Sequence, residues 1–70
     1  MRSSPEEFQK DFWKNVGQRI TVRRKQLGMT RDQLSFIINI SEKGLGQLER
    51  GEHGCSVARL IAITNTLNMS

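Results

Sequence analysis

Two short segments that begin and end with helix-capping residues place the strongest constraint on the fold of this 70-residue chain. The first follows Thr30, a preferred N-cap residue type that has a glutamine three residues later, the spacing of a capping box. The second follows Ser41 and stops at Gly51, a residue type that favours the left-handed position after a helix. These signals predict helices over residues 31–38 and 42–50, joined by a turn of three residues. Helices joined so closely pack against each other as one supersecondary unit.

The rest of the chain is also predicted to be helical. Apolar residues recur at three- and four-residue steps before the pair, which indicates one face of a long helix. These residues are Phe8, Phe12, Trp13, Val16, Ile20 and Leu27. This helix has Ser4 as its cap and Pro5 as its first residue, and it ends at Gly28. After the pair, Ser56 caps a further helix, in which a break near Thr64 would give two short helices.

No segment has the alternating pattern of a strand. The fold class is therefore all-α, a compact bundle of about five helices with an N-terminally extended first helix. We expect residues 1–14 to form the helical extension and residues 15–70 to form the domain.

The composition excludes several classes of site. One cysteine, Cys55, and one histidine, His53, cannot form a disulfide framework or a four-ligand zinc site. The sequence has no nucleophile–base–carboxylate set and no phosphate-binding loop, so we expect no enzyme activity, metal, cofactor or small-molecule substrate. It also has no apolar run of about 20 residues and no signal-peptide core, so we expect a soluble, cytoplasmic protein without a membrane partner.

Basic residues are concentrated in one part of the chain. The net charge is +4, and the segment from Trp13 to Arg31 has six basic residues and no acidic one. Such a block is typical of a protein that binds a polyanion such as nucleic acid or anionic lipid. A solvated helix face would have the same composition, and charge alone does not decide between the two.

Three stretches carry a resemblance to a known family. They are "VGQRITVRRKQLGMTRDQLS", "NISEKGLGQLERG" and "SVARLIAITNTLNMS". Together they resemble the phage-repressor and Cro-like helix-turn-helix domains, also called the xenobiotic-response-element type, over residues 15 to 70. The resemblance implies a lambda-repressor-like fold whose helix 42–50 enters the major groove of double-stranded DNA. It further implies a transcriptional regulator, most often a repressor, that binds a palindromic operator as a homodimer.

The same resemblance implies roles for individual residues. The positions that match base-reading residues are Glu42, Lys43, Gly44, Gly46 and Gln47. The positions that match phosphate-binding residues are Thr30, Arg31, Lys43 and Arg50, with Arg31 in place of the glutamine usual in the family. Arg24 and Glu49 match a structural ion pair between the first and third helices of the family.

Two glycines within the predicted third helix need an explanation. Each glycine in a helix interior costs about 0.5–1 kcal/mol relative to alanine. We hypothesise that Gly44 and Gly46 let the helix backbone approach the groove wall. The alternative is that they only allow close helix packing, or that the site has decayed.

A second function also fits the sequence. The chain would then be a protein-interaction module, such as an antitoxin or an assembly subunit, whose helix-turn-helix no longer reads DNA. Its acidic Glu42 and Glu52 near the groove-facing end favour this alternative, since carboxylates repel phosphates. Four apolar side chains are candidates for an interface, namely Phe8, Phe12, Phe36 and Ile37.

Overall fold

The computed structural model describes residues 5–69, which form four α-helices and no strand. In chain order they are α1 (Pro5–Gln26), α2 (Arg31–Ile37), α3 (Glu42–Glu49) and α4 (Val57–Thr66). The all-helical class and the extended first helix are confirmed. The expectation of about five helices is off by one, because the described residues contain four.

The expected fifth helix is part of α4. The Thr64 hydroxyl donates a hydrogen bond to the Ile61 carbonyl oxygen at 3.0 Å, and the helix continues through this position without a break. It ends only where Asn68 takes the left-handed conformation at φ 53°. There the Met69 N–H donates to the Thr64 carbonyl at 2.8 Å, which closes the last turn.

The capping signals at the helix-turn-helix pair form the expected contacts. The Thr30 hydroxyl accepts from the Gln33 N–H at 3.0 Å, and the Thr30 N–H donates to Gln33 Oε1 at 2.8 Å. The Ser41 hydroxyl accepts from the Gly44 N–H at 2.9 Å. Between the helices, Asn39 takes a left-handed φ of 59°. Thr30 therefore fixes the start of α2, and Asn39 and Ser41 fix the turn between α2 and α3, while the predicted N-cap Ser4 of α1 lies outside the described residues.

Every helix contributes to one core. Its buried members are Ile20 from α1, Leu34 from α2, Leu45 and Leu48 from α3, Ile63 from α4, and the adjoining Ile38 and Leu67. Full burial of such a side chain stabilises the fold by about 1.5–3 kcal/mol relative to exposure. Helices of seven to ten residues are marginal by themselves, so this packing holds α2, α3 and α4 in place.

Three glycines let α1 lie directly on α3 and on the loop that follows it. A Cβ atom at Gly17 would lie 2.5 Å from the Glu49 carbonyl oxygen, and one at Gly51 would lie 2.6 Å from Lys14 Cα. Gly54 lies beneath the indole ring of Trp13, which is half-buried against the core. The chain therefore packs Trp13 within the domain, whereas residues 5–12 are exposed.

Candidate nucleic-acid interface

The first half of α3 presents polar side chains to solvent. Glu42 and Lys43 are exposed and Gln47 is half-buried, while Leu45 and Leu48 anchor the opposite face in the core. The side chains of Glu42, Lys43 and Gln47 make no hydrogen bond or ion pair with any residue that the structure describes. They are therefore available to an external partner.

The two glycines of α3 have different surroundings. A Cβ atom at Gly44 would meet only the Ser41 hydroxyl, at 3.0 Å, so this position is otherwise open. Gly46 is buried, and a Cβ atom there would lie 3.0 Å from Arg50 Nη1 and 3.4 Å from Arg31 Nη1. Open access of Gly46 to a groove therefore requires these two guanidinium groups to move. The role of Gly46 in base reading stays a prediction. In this conformation two guanidinium groups pack closely around Gly46, which is the kind of contact that the close-packing alternative expects.

Arg24 and Glu49 form a buried ion pair between α1 and α3. Arg24 donates through Nε to Glu49 Oε2 at 2.8 Å and through Nη2 to Glu49 Oε1 at 3.1 Å. Its remaining Nη1 donates to the Met29 carbonyl oxygen at 2.8 Å. The Arg24 and Glu49 side chains are only 7% and 2% exposed. This pair fixes the end of α3 to the end of α1 and so orients the exposed half of α3.

Arg31 and Thr30 lie at the start of α2. The Arg31 side chain is 38% exposed, and its Nε lies 3.4 Å from Glu49 Oε1, so Glu49 faces two guanidinium groups. Thr30 is exposed, and its hydroxyl is occupied as the N-cap of α2. Arg31 is thus partly engaged within the protein but still reaches the surface beside α3.

Arg50, the residue at the end of α3, has an acidic partner that the predicted site did not include. Its Nε donates to Glu52 Oε2 at 2.6 Å, and both side chains are about half exposed. The hydrogen bond from Arg50 lowers the pKa of Glu52, and the same contact raises the pKa of Arg50. The sequence contained a signal for this pair. Arg50 and Glu52 have opposite charges and stand on either side of Gly51, where a turn brings them close enough to pair. This contact uses only Nε, so the Nη groups of Arg50 can still donate to a DNA phosphate, while the neighbouring Glu52 carboxylate repels such an anion.

The four candidate interface residues are all exposed apolar side chains. Phe36 is 87% exposed and Ile37 is 54% exposed on α2. On α1, Phe8 stacks on Phe12 with ring centroids 6.4 Å apart. Their exposure is compatible with an interface, and the partner stays a prediction.

Among residues 5–69, no group of three His, Cys, Asp or Glu side chains is placed to hold a metal ion. None of the described helices combines the length and the apolar character needed to cross a bilayer. Cys55 is half-buried, and burial raises the pKa of its thiol.

Comparison with known proteins agrees with this geometry. Residues 21–70 match the model of a family described as helix-turn-helix, of the Cro/C1 type, whose members are DNA-binding transcription regulators. No curated protein matches the chain. The matched segment covers more than half of the chain and includes α2, α3, α4 and the end of α1 over residues 21–26. The chain therefore belongs to the Cro/C1-type helix-turn-helix family.

Proposed function

We propose that this protein binds double-stranded DNA in a sequence-specific manner, with α3 in the major groove, and that it represses transcription. The observation that carries this proposal is the construction of α3 itself. One side of the helix is anchored by Leu45 and Leu48, and the other presents Glu42, Lys43 and Gln47, whose side chains have no partner among the described residues. In a helix-turn-helix unit, the N-terminal residues of the second helix contact base edges.

The exposed side chains have complementary roles in the proposal. Gln47 pairs with adenine, Lys43 binds guanine or a phosphate, and Glu42 accepts a hydrogen bond from cytosine. The open backbone at Gly44 allows the helix to approach the groove wall closely. Glu42 also stabilises the first turn of α3 through the helix dipole, whatever it contacts.

Phosphate contacts set the position of the domain on the duplex. In this proposal they come from Thr30, Arg31, Lys43 and Arg50. All four lie at the start of α2, at the start of α3 or directly after α3. Since the binding of each phosphate releases counterions, affinity is expected to fall steeply as salt rises.

The proposal includes a homodimer on a palindromic operator. A single α3 presents only three or four side chains to base edges, and each good bidentate pair gives about 1–3 kcal/mol of discrimination. Two copies on one face of the duplex would place their α3 helices about 34 Å apart, one turn of DNA. Repression then follows from occupation of the operator.

A gel-shift titration of a random-sequence duplex pool at low salt tests this function, with Lys43→Glu as the variant. The matched control is Arg19→Glu, which makes the same change of charge on a face of α1 that lies beside Val22 and Met69. We expect Lys43→Glu to weaken binding at least about ten-fold, and Arg19→Glu to weaken it much less. Selection of bound sequences from the same pool should then yield a defined, palindromic site.

Exposed apolar side chains on α2 favour one other function, the protein-interaction module. Phe36 at 87% exposure is an unusually open aromatic residue for a small domain. If the pool does not bind at low salt, or if Lys43→Glu binds as well as the unchanged protein, DNA binding through α3 is wrong. The interaction module then becomes the better account.

A further inference from the structure

We infer that Arg31 and Arg50 together hold a single phosphate of the DNA backbone directly above Gly46, and that the Glu52 carboxylate beside Arg50 weakens this site by repelling the phosphate. This inference rests on the proposed function and assigns one joint site to two residues otherwise considered separately. It also gives Gly46 a reason to be glycine that does not involve a base.

The positions of the two guanidinium groups define the site. A Cβ atom on Gly46 would lie 3.0 Å from Arg50 Nη1 and 3.4 Å from Arg31 Nη1. The two Nη1 atoms are therefore no farther apart than the sum of these distances, about 6.4 Å. A phosphate group accepts charge-assisted hydrogen bonds of about 2.7–2.9 Å, and its oxygens span such a gap. One phosphate is thus enough to contact both groups.

The charges around the two groups leave the site positive. Within residues 5–69, Glu49 is the only carboxylate in contact with Arg31, and its Oε1 also accepts a hydrogen bond from Arg24 Nη2 at 3.1 Å. One buried carboxylate therefore forms ion pairs with two guanidinium groups. Arg50 adds another cation within reach of Arg31. An anion above Gly46 relieves the repulsion between them.

Glu52 places a negative charge beside the site. Its carboxylate lies 2.6 Å from Arg50 Nε, and its side chain is 49% exposed. This contact leaves Arg50 Nη1 free to bind the phosphate, but the carboxylate offsets part of the Arg50 charge and repels an anion nearby. Glu52 thus competes with DNA for the charge of Arg50.

Gly46 forms the floor of the site. An alanine Cβ there would lie 3.0 Å from Arg50 Nη1 and 3.4 Å from Arg31 Nη1, so these flexible side-chain ends would have to shift by a few tenths of an ångström. The helix would tolerate alanine, which has the higher helix propensity. Gly46→Ala should therefore keep or raise the melting temperature while it separates Arg31 from Arg50.

Fluorescence anisotropy with one duplex, the sequence selected from the pool, tests whether the phosphate is shared. We expect Arg31→Gln and Arg50→Gln each to weaken binding at least about ten-fold, and the double variant to lose clearly less than the product of the single losses. Independent phosphate contacts would instead give multiplicative losses, and that result overturns the joint site. Gly46→Ala should lower affinity and also reduce the slope of affinity against salt; unchanged affinity and slope contradict the inference.

The competition by Glu52 has its own matched pair of variants. Glu52→Gln should bind the duplex more tightly, whereas Asp11→Asn, the same charge change on the exposed part of α1, should have a much smaller effect. Equal effects would show that only net charge matters and would refute the competition.

A titration with inorganic phosphate separates failure of this inference from failure of the proposed function. The nitrogen-bound Hε resonances of Arg31 and Arg50 should shift together in the unchanged protein and not in Gly46→Ala, with chloride at equal ionic strength as the reference. If phosphate shifts both resonances but no duplex binds, the anion site stands and the DNA function is wrong. If neither resonance shifts, the anion site itself is refuted.

Discussion

Removal of the Glu49 carboxylate is the perturbation whose effect on stability follows most directly from the structure. Glu49→Gln keeps the shape of the side chain but removes the negative charge that Arg24 faces. Arg24 is 7% exposed, and it donates two of its hydrogen bonds to Glu49 and one to the Met29 carbonyl. In the variant, a buried guanidinium is left with a neutral partner, and Arg31 loses its carboxylate as well.

The expected cost is large for a domain of this size. Removal of one partner from a buried ion pair typically costs about 3–5 kcal/mol, because the other charge stays buried without compensation. Small domains have a free energy of unfolding of only about 5 kcal/mol. We therefore expect Glu49→Gln to lie close to its unfolding midpoint at 25 °C.

Urea unfolding followed by circular dichroism measures this cost. Glu52→Gln is the matched control, since it removes an ion-pair carboxylate from an exposed site and should leave the urea midpoint unchanged. The double variant Arg24→Met with Glu49→Leu removes both buried charges together and should recover much of the lost stability. A loss below about 1 kcal/mol for Glu49→Gln would refute the view that this pair fixes α3.

Three further substitutions or measurements test other parts of the structure. Gly17→Ala should lower the free energy of unfolding by about 1–3 kcal/mol, because its Cβ would lie 2.5 Å from the Glu49 carbonyl oxygen; a urea midpoint equal to that of the unchanged protein would contradict the close packing of α1 on α3. Asn39→Ala should lower the free energy of unfolding by about 1–2 kcal/mol because φ is 59° at this residue, whereas Asn39→Gly should lower it far less. Thermal unfolding of the two variants should show this difference. Burial raises the pKa of Cys55, so its thiolate is less populated in the folded protein than in the unfolded chain at pH 8. Alkylation of Cys55 by iodoacetamide should therefore be slower before urea is added than after. Equal rates would show that the thiol is not shielded.

The helices and the core could be predicted largely from sequence because their signals are local. Thr30 and Ser41 begin helices wherever the next residues can donate to their hydroxyls, and the structure has these bonds at 3.0 and 2.9 Å. The spacing of Leu34, Leu45 and Leu48 likewise depends only on helical periodicity, and all three are in the core. The number of helices was less certain, since a threonine such as Thr64 can either end a helix or bond back into it.

The surroundings of the candidate site could not be predicted in the same way. Arg50 lies four residues after Gly46, one helical turn away, so its contact follows from local geometry, whereas the approach of Arg31 from α2 depends on tertiary packing. The pairing of Arg50 with Glu52 depends on the turn at Gly51, which takes φ 75° and brings the two side chains together. Family resemblance gives the residue types in the site, and only the structure shows which of them already have partners.

Backbone amide shifts of the isotopically labelled protein during titration with its selected duplex test the central claim most directly. The account predicts that the largest shifts occur over residues 41–51 and at Thr30 and Arg31, and that the affinity for the duplex falls as salt is added. Shifts concentrated at Phe36 and Ile37, or no shifts at low salt, would contradict the claim that α3 is a DNA-binding surface.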